Sequence, residues 1–300
     1  MSYSSMMKNN KSNMLKKLQN DVEKLAKGQG FEKDDRFWAP TLDAAGNGSA
    51  IIRFLMPPLQ DIPKNKKGEP IFEEGKYFVK TFSHGFKGPT GLWYIEESPK
   101  TIGMPCPVTD YNTPLWATGL DADKKKTKPM RTFFISNILI VKDPGNPANN
   151  GKVFLFKYGK KIYDKLSAMS NPDPAFEMKP MNPFDPIDGA NFRYRRRKED
   201  DFPNYDLSAF DNPSAIGSEA EIDEIWKKEY SLLEFHNPSK FKSYDELKAK
   251  FDKVMGASQI GGTVVPIGKT KSYTSQKTDP PEESNEGDPE LESFQALLQE

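Results

Sequence analysis

Apolar positions change their period twice along the chain. Over 13–27, NMLKKLQNDVEKLAK, residues Met14, Leu15, Leu18, Val22 and Leu25 recur at helical spacing and Gly28 offers a stop. From 48 the pattern switches to short runs of β-branched and aromatic residues bounded by Gly, Pro, Asn or Asp. GSAIIRFL (48–55), KYFVKTF (76–82), GLWYIEE (91–97), RTFFISNILIVKD (131–143), KVFLFKYG (152–159) and GANFRYRRRK (189–198) each predict a strand. KKIYDKLSAM (160–169) predicts a helix, and the polar stretches 57–75, 98–130 and the proline-rich 171–186 predict long connections. Farther on, 221–235 places Ile222, Ile225, Trp226, Glu229 and Leu233 near one helix face. A second helix follows, with a Ser243–Glu246 capping box, an apolar stripe of Tyr244, Leu247, Phe251 and Val254, and Gly256 to end it. The expected fold is mainly β with α, a barrel or curled sheet carrying insertions. Beyond 257 periodicity stops and Gly, Ser, Thr, Pro and Glu dominate, which predicts a disordered stretch. It ends in LESFQALLQE, where Leu291, Phe294, Leu297 and Leu298 form a small apolar cluster suited to a docking peptide.

Composition sharpens this picture through its asymmetry. The 300 residues carry 43 Lys+Arg and 43 Asp+Glu, yet 278–300 hold eight acids, Asp288 and Glu290 among them, and no Lys or Arg, which leaves 1–277 at +8. Residues 1–20 are basic, 124–161 carry ten cations against Asp143 alone, and 193–198 read RYRRRK. A basic body with an acidic tail predicts a polyanion partner, with the tail as competitor or separate docking element. No apolar run approaches the roughly 18 residues of a membrane span, and the N-terminus lacks a signal core, so the expected location is a cytoplasm. The single cysteine, Cys106, excludes a disulfide framework.

Enzymatic motifs are missing. There are two histidines, His84 and His236, no G-x-S-x-G and no phosphate-binding loop, so no catalysis is expected. What the strands do carry is cations interleaved with rings. Alternation puts Arg193, Arg195 and Arg197 on one face of their strand, a face that must be wet. Phe133, Phe134, Phe156 and Tyr158 adjoin Arg131, Lys142, Lys152, Lys157, Lys160 and Lys161. Single-stranded nucleic acid asks for both components: cations for phosphates, and ring faces for unpaired bases at about 1–3 kcal/mol each. Phe54, Phe82 and Phe192 are expected in the core. Trp93, Tyr94, Trp116, Phe202 and Tyr205 flank loops or basic stretches and are the candidates for exposed rings.

NGSAIIRFLMP (47–57), HGFKGPTGLWYIE (84–96), NILIVKDPGNPANNGKVFLFKYGKKIYDKL (137–166), GANFRYRRRKEDDFPNYDLSAFDNPSAI (189–216) and KSYDELKAKFDKVMG (242–256) together resemble the helix-destabilising single-stranded DNA-binding proteins of T-even-type phages. The resemblance implies a basic N-terminal arm over 1–28, a DNA-binding OB-fold core over 29–256 with an added subdomain near 76–130, and a linker and acidic tail over 257–300. It implies cooperative, sequence-independent coating of single strands in phage replication, recombination and repair. The arm would bind the neighbouring protomer, although the family's basic arm motif is matched only loosely, by Lys8, Lys11 and Ser12. The tail would recruit replication and recombination proteins such as a polymerase, a helicase loader and a recombination mediator. The family's DNA-facing rings fall on Trp93, Phe134, Phe156, Phe202 and Tyr205, with Trp116 in a neighbouring role, and its cations on Arg131, Lys157, Arg195 and Arg197.

One departure concerns a cofactor. The well-studied family member holds a structural zinc through one histidine and three cysteines; here His84 and Cys106 remain, while the other two positions read Glu97 and Thr109. A closed zinc site wants four good nitrogen or sulfur ligands, so no metal is expected. Two other readings stay open at this point: a single-stranded RNA-binding translational regulator, and a replication scaffold acting mainly through its tail.

Overall fold

The computed structural model describes residues 34–256 apart from 177, 178 and 201. The arm residues Lys8, Lys11 and Ser12 and the tail residues Asp288, Glu290, Leu291, Phe294, Leu297 and Leu298 lie outside the described residues, as does the helix expected over 13–27.

Eight strands among the described residues form one curled antiparallel sheet: β1 (Gly48–Phe54), β2 (Val79–Lys87), β3 (Trp93–Glu97), β4 (Arg131–Lys142), β5 (Val153–Tyr158), β6 (Ala190–Glu199), β7 (Phe202–Asn204) and β8 (Ala209–Pro213). The main path runs β3-β2-β4-β1-β6-β7, with β5 on β4 and β8 on β6. The twelve-residue β4 is the axis of the sheet. Its first half pairs with β2 and its second half with β1, while β5 pairs along it from Phe134↔Tyr158 to Leu139↔Val153. Such a strand is buried on both sides, and β4 accordingly reads as a nearly continuous apolar run.

Pleating sorts the side chains into two layers. On one side Ile52, Phe54, Phe134, Ile138, Ile140, Phe156, Tyr158, Phe192 and Tyr194 form the main core, with Ile162 and Leu166 of α3 (Lys160–Ser170) against them. On the other side Val79, Ile135 and Leu155 meet Leu232, and Leu55, Leu139 and Val153 meet Ile216 and Ile225. Arg53 sits on this second side, fully buried, and its Nη2 donates to the carbonyls of Asp185 and Ser214.

A third cluster builds the subdomain around the β2–β3 hairpin. Phe86, Tyr94, Cys106 and Val108 pack on Phe251 and Val254 of α5 (Tyr244–Met255). Tyr94, a candidate for an exposed ring, is completely buried there, because it faces Phe86 across the hairpin and stacks on it at 5.2 Å. The segment 98–130, read as a connection, contains α1 (Pro107–Ala117) and the short α2 (Asp121–Lys124). Pro114 within α1 interrupts the helical pattern that would have revealed it, although Pro107 stands at its first position, where proline is tolerated. Asn112 ties it back by accepting from Lys128 N and donating to Lys128 O.

The region 221–235 is not one helix. The Ser218–Glu221 capping box starts α4 (Glu219–Trp226), and the chain then leaves the helix. Asp61 explains the break, since its carboxylate accepts from Leu232 N, Leu233 N and Ser231 Oγ. The expected Ser243–Glu246 box and the left-handed Gly256 do bound α5.

The last turn of α5 rests on Gly88, where a Cβ would lie 2.3 Å from Val254 O and 2.5 Å from Val254 Cγ1. Thr90 Oγ1 donates to that same carbonyl at 2.7 Å. Gly88→Ala should therefore push α5 off the hairpin and destabilise the protein by about 1–3 kcal/mol in urea unfolding. An unchanged midpoint would show that the contact is not as close as described.

Candidate nucleic-acid interface

The arginine strand is the part of the predicted site that the structure leaves open. β6 pairs with β1 so that Arg195 lies opposite Ser49 and Arg193 opposite Ile51. Its even positions, Phe192 and Tyr194, fill the core, which sends Arg193, Arg195 and Arg197 outward, and all three are exposed. Ser208 Oγ fixes the ribbon by accepting from Arg195 N at 2.9 Å and donating to Arg195 O at 3.0 Å. β7 folds back on β6 with Phe202 opposite Glu199 and Asn204 opposite Arg197. The half-buried Phe202 ring therefore shares the face of Arg195 and Arg197. Arg197 is paired with Glu199 at 2.6 Å and Arg193 with Asp211 at 2.8 Å, both at the surface. Surface pairs of this kind are weak and exchange readily for a phosphate.

The hairpin side of the sheet contributes to the same layer. Ser83 of β2 lies opposite both Glu97 and Arg131, and Ile135 lies opposite Lys157, so Trp93, Glu97, Arg131 and Lys157 share one side. Trp93 is half-buried at the hairpin end. Lys157 Nζ bonds Glu97 Oε1 at 3.1 Å and stands 4.5 Å over the ring of Phe133, which is itself buried at 4% exposure. The register, which the sequence does not show, decides this: Phe133, not Phe134, shares the parity of Lys157's partner Ile135. Arg131 is only 4% exposed, an interior guanidinium rather than a free surface cation.

Phe134 and Phe156 lie on the opposite side, in the main core, at 5% and 4% exposure. Their faces are already covered: Phe134 stacks on Tyr163 at 4.0 Å and 7°, and Phe156 packs against Trp38 and Tyr158. As the chain is folded here, neither ring offers a face to a base, because alternation turned both inward. Tyr205 is half-buried at the edge of the main core, behind the arginine face, and its ring meets Tyr194 at 5.7 Å, which in turn meets Phe156 at 5.9 Å. Phe156 thus backs Tyr205 through Tyr194. Trp116 sits half-buried in the last turn of α1. Tyr163 was missed, although the helical spacing of Ile162 and Leu166 already put α3 on the sheet.

His84 and Cys106 do meet. Cys106 Sγ lies 3.4 Å from His84 Nε2, and both residues are buried. His84 Nδ1 donates to Pro129 O at 2.9 Å, which fixes the proton on Nδ1. Burial raises the thiol, but His84, the Ser98 hydroxyl and the Thr109 N–H outweigh it and bring it down to about 7. Glu97 does not take part: it faces the other side of the hairpin, toward Lys157. The residue beside the sulfur is Ser98, fully buried. One imidazole, one sulfur and two hydroxyls do not fit a structural zinc, and no group of three or more His, Cys, Asp or Glu is clustered for a metal among the described residues.

A curled sheet with an exposed arginine ribbon, a ring on the same face and further rings at its margin defines a binder of an extended anionic partner. The sequence comparisons specify the kind. A family profile described as gp32 DNA binding protein like matches residues 46–255, and the chain belongs to that family. It is 37% identical over 254 residues to the single-stranded DNA-binding protein of Enterobacteria phage T4, covering 83% of this chain and 80% of the relative. The single-stranded DNA-binding protein of Enterobacteria phage T2 is likewise 37% identical, over 80% of this chain and 77% of its own. That of Escherichia phage SV14 matches 85 residues at 40% identity, 27% of this chain and 63% of the relative. This is a DNA-binding family rather than an enzyme family. No helix among the described residues is long and apolar enough to cross a membrane.

Proposed function

We propose that the protein coats single-stranded DNA without sequence preference during phage replication, recombination and repair. The observation that carries this reading is the β6–β7 ribbon, where exposed Arg195 and Arg197 share a face with Phe202. Guanidinium groups neutralise phosphates and release counterions, and rings stack on unpaired bases of any identity. Trp93 and Lys157 extend the same side toward the hairpin. Trp116 adds a ring at its margin. Arg131, Phe134 and Phe156 act from within, positioning the layer in front of them. We read the curled sheet as an OB-type core with the hairpin subdomain added to it. The basic arm around Lys8, Lys11 and Ser12 links successive protomers into a cooperative filament. The acidic tail through Asp288, Glu290, Leu291, Phe294, Leu297 and Leu298 recruits replication and recombination proteins. The protein has no catalytic role and works in the host cytoplasm.

The test is a titration with a long oligo-dT, following tryptophan fluorescence at several salt concentrations, for the full chain and for residues 1–277. The expected result is quenching of Trp93 and Trp116, with log K falling in log salt by about 0.7 for each phosphate contact. Removing the tail should tighten binding. Absence of both quenching and salt dependence would sink the proposal, and equal affinity for a matched RNA oligomer would widen the ligand class to single strands in general.

A further inference from the structure

The hairpin subdomain combines features that belong to a metal site with a donor set that cannot make one. His84 is oriented as a ligand would be: Pro129 O holds the Nδ1 proton, so the Nε2 lone pair is directed at Cys106 Sγ, 3.4 Å away. Cys106 is the residue preceding α1, and Thr109 is the third residue within it, the spacing that brings an N-cap side chain toward the N3 position. The pleat decides the remaining position. His84 pairs directly with Glu96 and Phe86 with Tyr94, so the side chains of 94, 96 and 98 share the face of His84. Glu97 is on the reverse face. Glu96, on the correct face, is taken up by Lys242 at 2.6 Å and Lys250 at 2.7 Å. Ser98 remains. It is fully buried at the end of β3, its N–H bonded to Phe82 O, and its hydroxyl approaches the sulfur without making a hydrogen bond of ordinary geometry. Thr109 Oγ1 is likewise buried without a partner.

We propose that this subdomain closes without a metal, tied by the His84–Cys106 contact, and that Ser98 and Thr109 are the two positions at which thiols would complete a zinc site. Serine and threonine hydroxyls occupy nearly the volume of a thiol but are poor zinc ligands, so their presence removes metal affinity while keeping the shape. Packing and an ion-pair clamp close the subdomain instead. The apolar cluster of Phe86, Tyr94, Val108, Phe251 and Val254 is assembled around the Cys106 side chain, and the two lysines of the α5 region clamp the hairpin through Glu96. The inference does not depend on the DNA-coating reading, and its tests do not use DNA.

The experiment compares the full-length protein with the variants S98C/T109C and E97C/T109C, each purified without a tag, exposed to zinc and passed over a desalting column. The wild type should retain no stoichiometric zinc, and EDTA should leave its melting temperature unchanged. S98C/T109C should hold one zinc per chain, give the absorption of tetrahedral, thiolate-bound cobalt when loaded with Co²⁺, and lose about 5 °C or more of melting temperature on chelation. E97C/T109C should hold none, because its new thiol is on the wrong face. Stoichiometric zinc in the wild type, or a chelator-sensitive melt of the wild type, would overturn the proposal whether or not the variants fold. A folded S98C/T109C protein that binds no zinc would overturn the assignment of the two positions, and so would zinc binding by E97C/T109C in its place.

Discussion

Reversing the charge of Arg195 and Arg197 together will weaken binding to oligo-dT by at least about 100-fold at roughly 50 mM salt and will flatten the salt dependence by about 1.4 log units per decade. Both side chains are exposed on a strand whose backbone is secured independently, by pairing with β1 and by Ser208. The substitutions therefore remove charge without opening the core. Arg197→Glu places a second carboxylate near Glu199, a surface repulsion that costs little stability. An unfolding midpoint within about 0.5 kcal/mol of wild type should accompany the affinity loss. The companion variant Phe202→Ala should lose less, about 1–3 kcal/mol of binding, and leave the salt slope unchanged, because stacking releases no counterions. If the double reversal bound oligo-dT normally, the ribbon would not be the DNA site, and a protein acting mainly through its tail would become the better account.

The strength of that prediction rests on a feature legible in the sequence. Three arginines at alternate positions cannot face a core, so the wet face of β6 followed from alternation alone. The six long strands were legible for the same reason: GSAIIRFL, RTFFISNILIVKD and the others are bounded by turn residues and become β1 to β6 with ends shifted by a few residues. What the pattern could not carry was parity across strands. Phe134 and Phe156 look equivalent to Phe133 until the register of β4 on β5 is known, and that register sets Phe134, Phe156 and Tyr158 together in the main core. Glu97 and Ser98 pose the same problem one residue apart, resolved only by His84 lying opposite Glu96. β7 and β8 were missed because FPN and AFDNP contain proline and polar residues and are strands only through their pairing with β6. The end of α4 was illegible for a different reason: its cause, Asp61, is far away in the sequence.

That same Asp61 sets up the second large effect. Glu229 Oε2 is buried without a hydrogen-bond partner, while the backbone of Glu229 is engaged, its carbonyl by Gln60 Nε2 at 3.1 Å and its N–H by Trp226 O at 3.2 Å. Burial, and secondarily the charge of Asp61, push the Glu229 carboxyl up to about 9, so it is a neutral acid in the native protein at pH 7. An unfolded glutamate ionises near 4.5. Folding therefore takes up a proton between those values, and the contribution of Glu229 to stability, fully present below the lower one, is lost as pH rises through the upper one. Glu229→Gln is neutral at every pH and its amide can donate toward Asp61. It should raise the melting temperature at pH 8 by about 5 °C, an effect of ~1–3 kcal/mol, while leaving it nearly unchanged at pH 4.5. The difference between the two proteins, measured from pH 4.5 to 9, isolates this one group from every other titration. A difference that stays flat across that window would mean that Glu229 is ionised in the folded chain. A uniform destabilisation would mean that its carboxyl makes a contact the amide cannot replace.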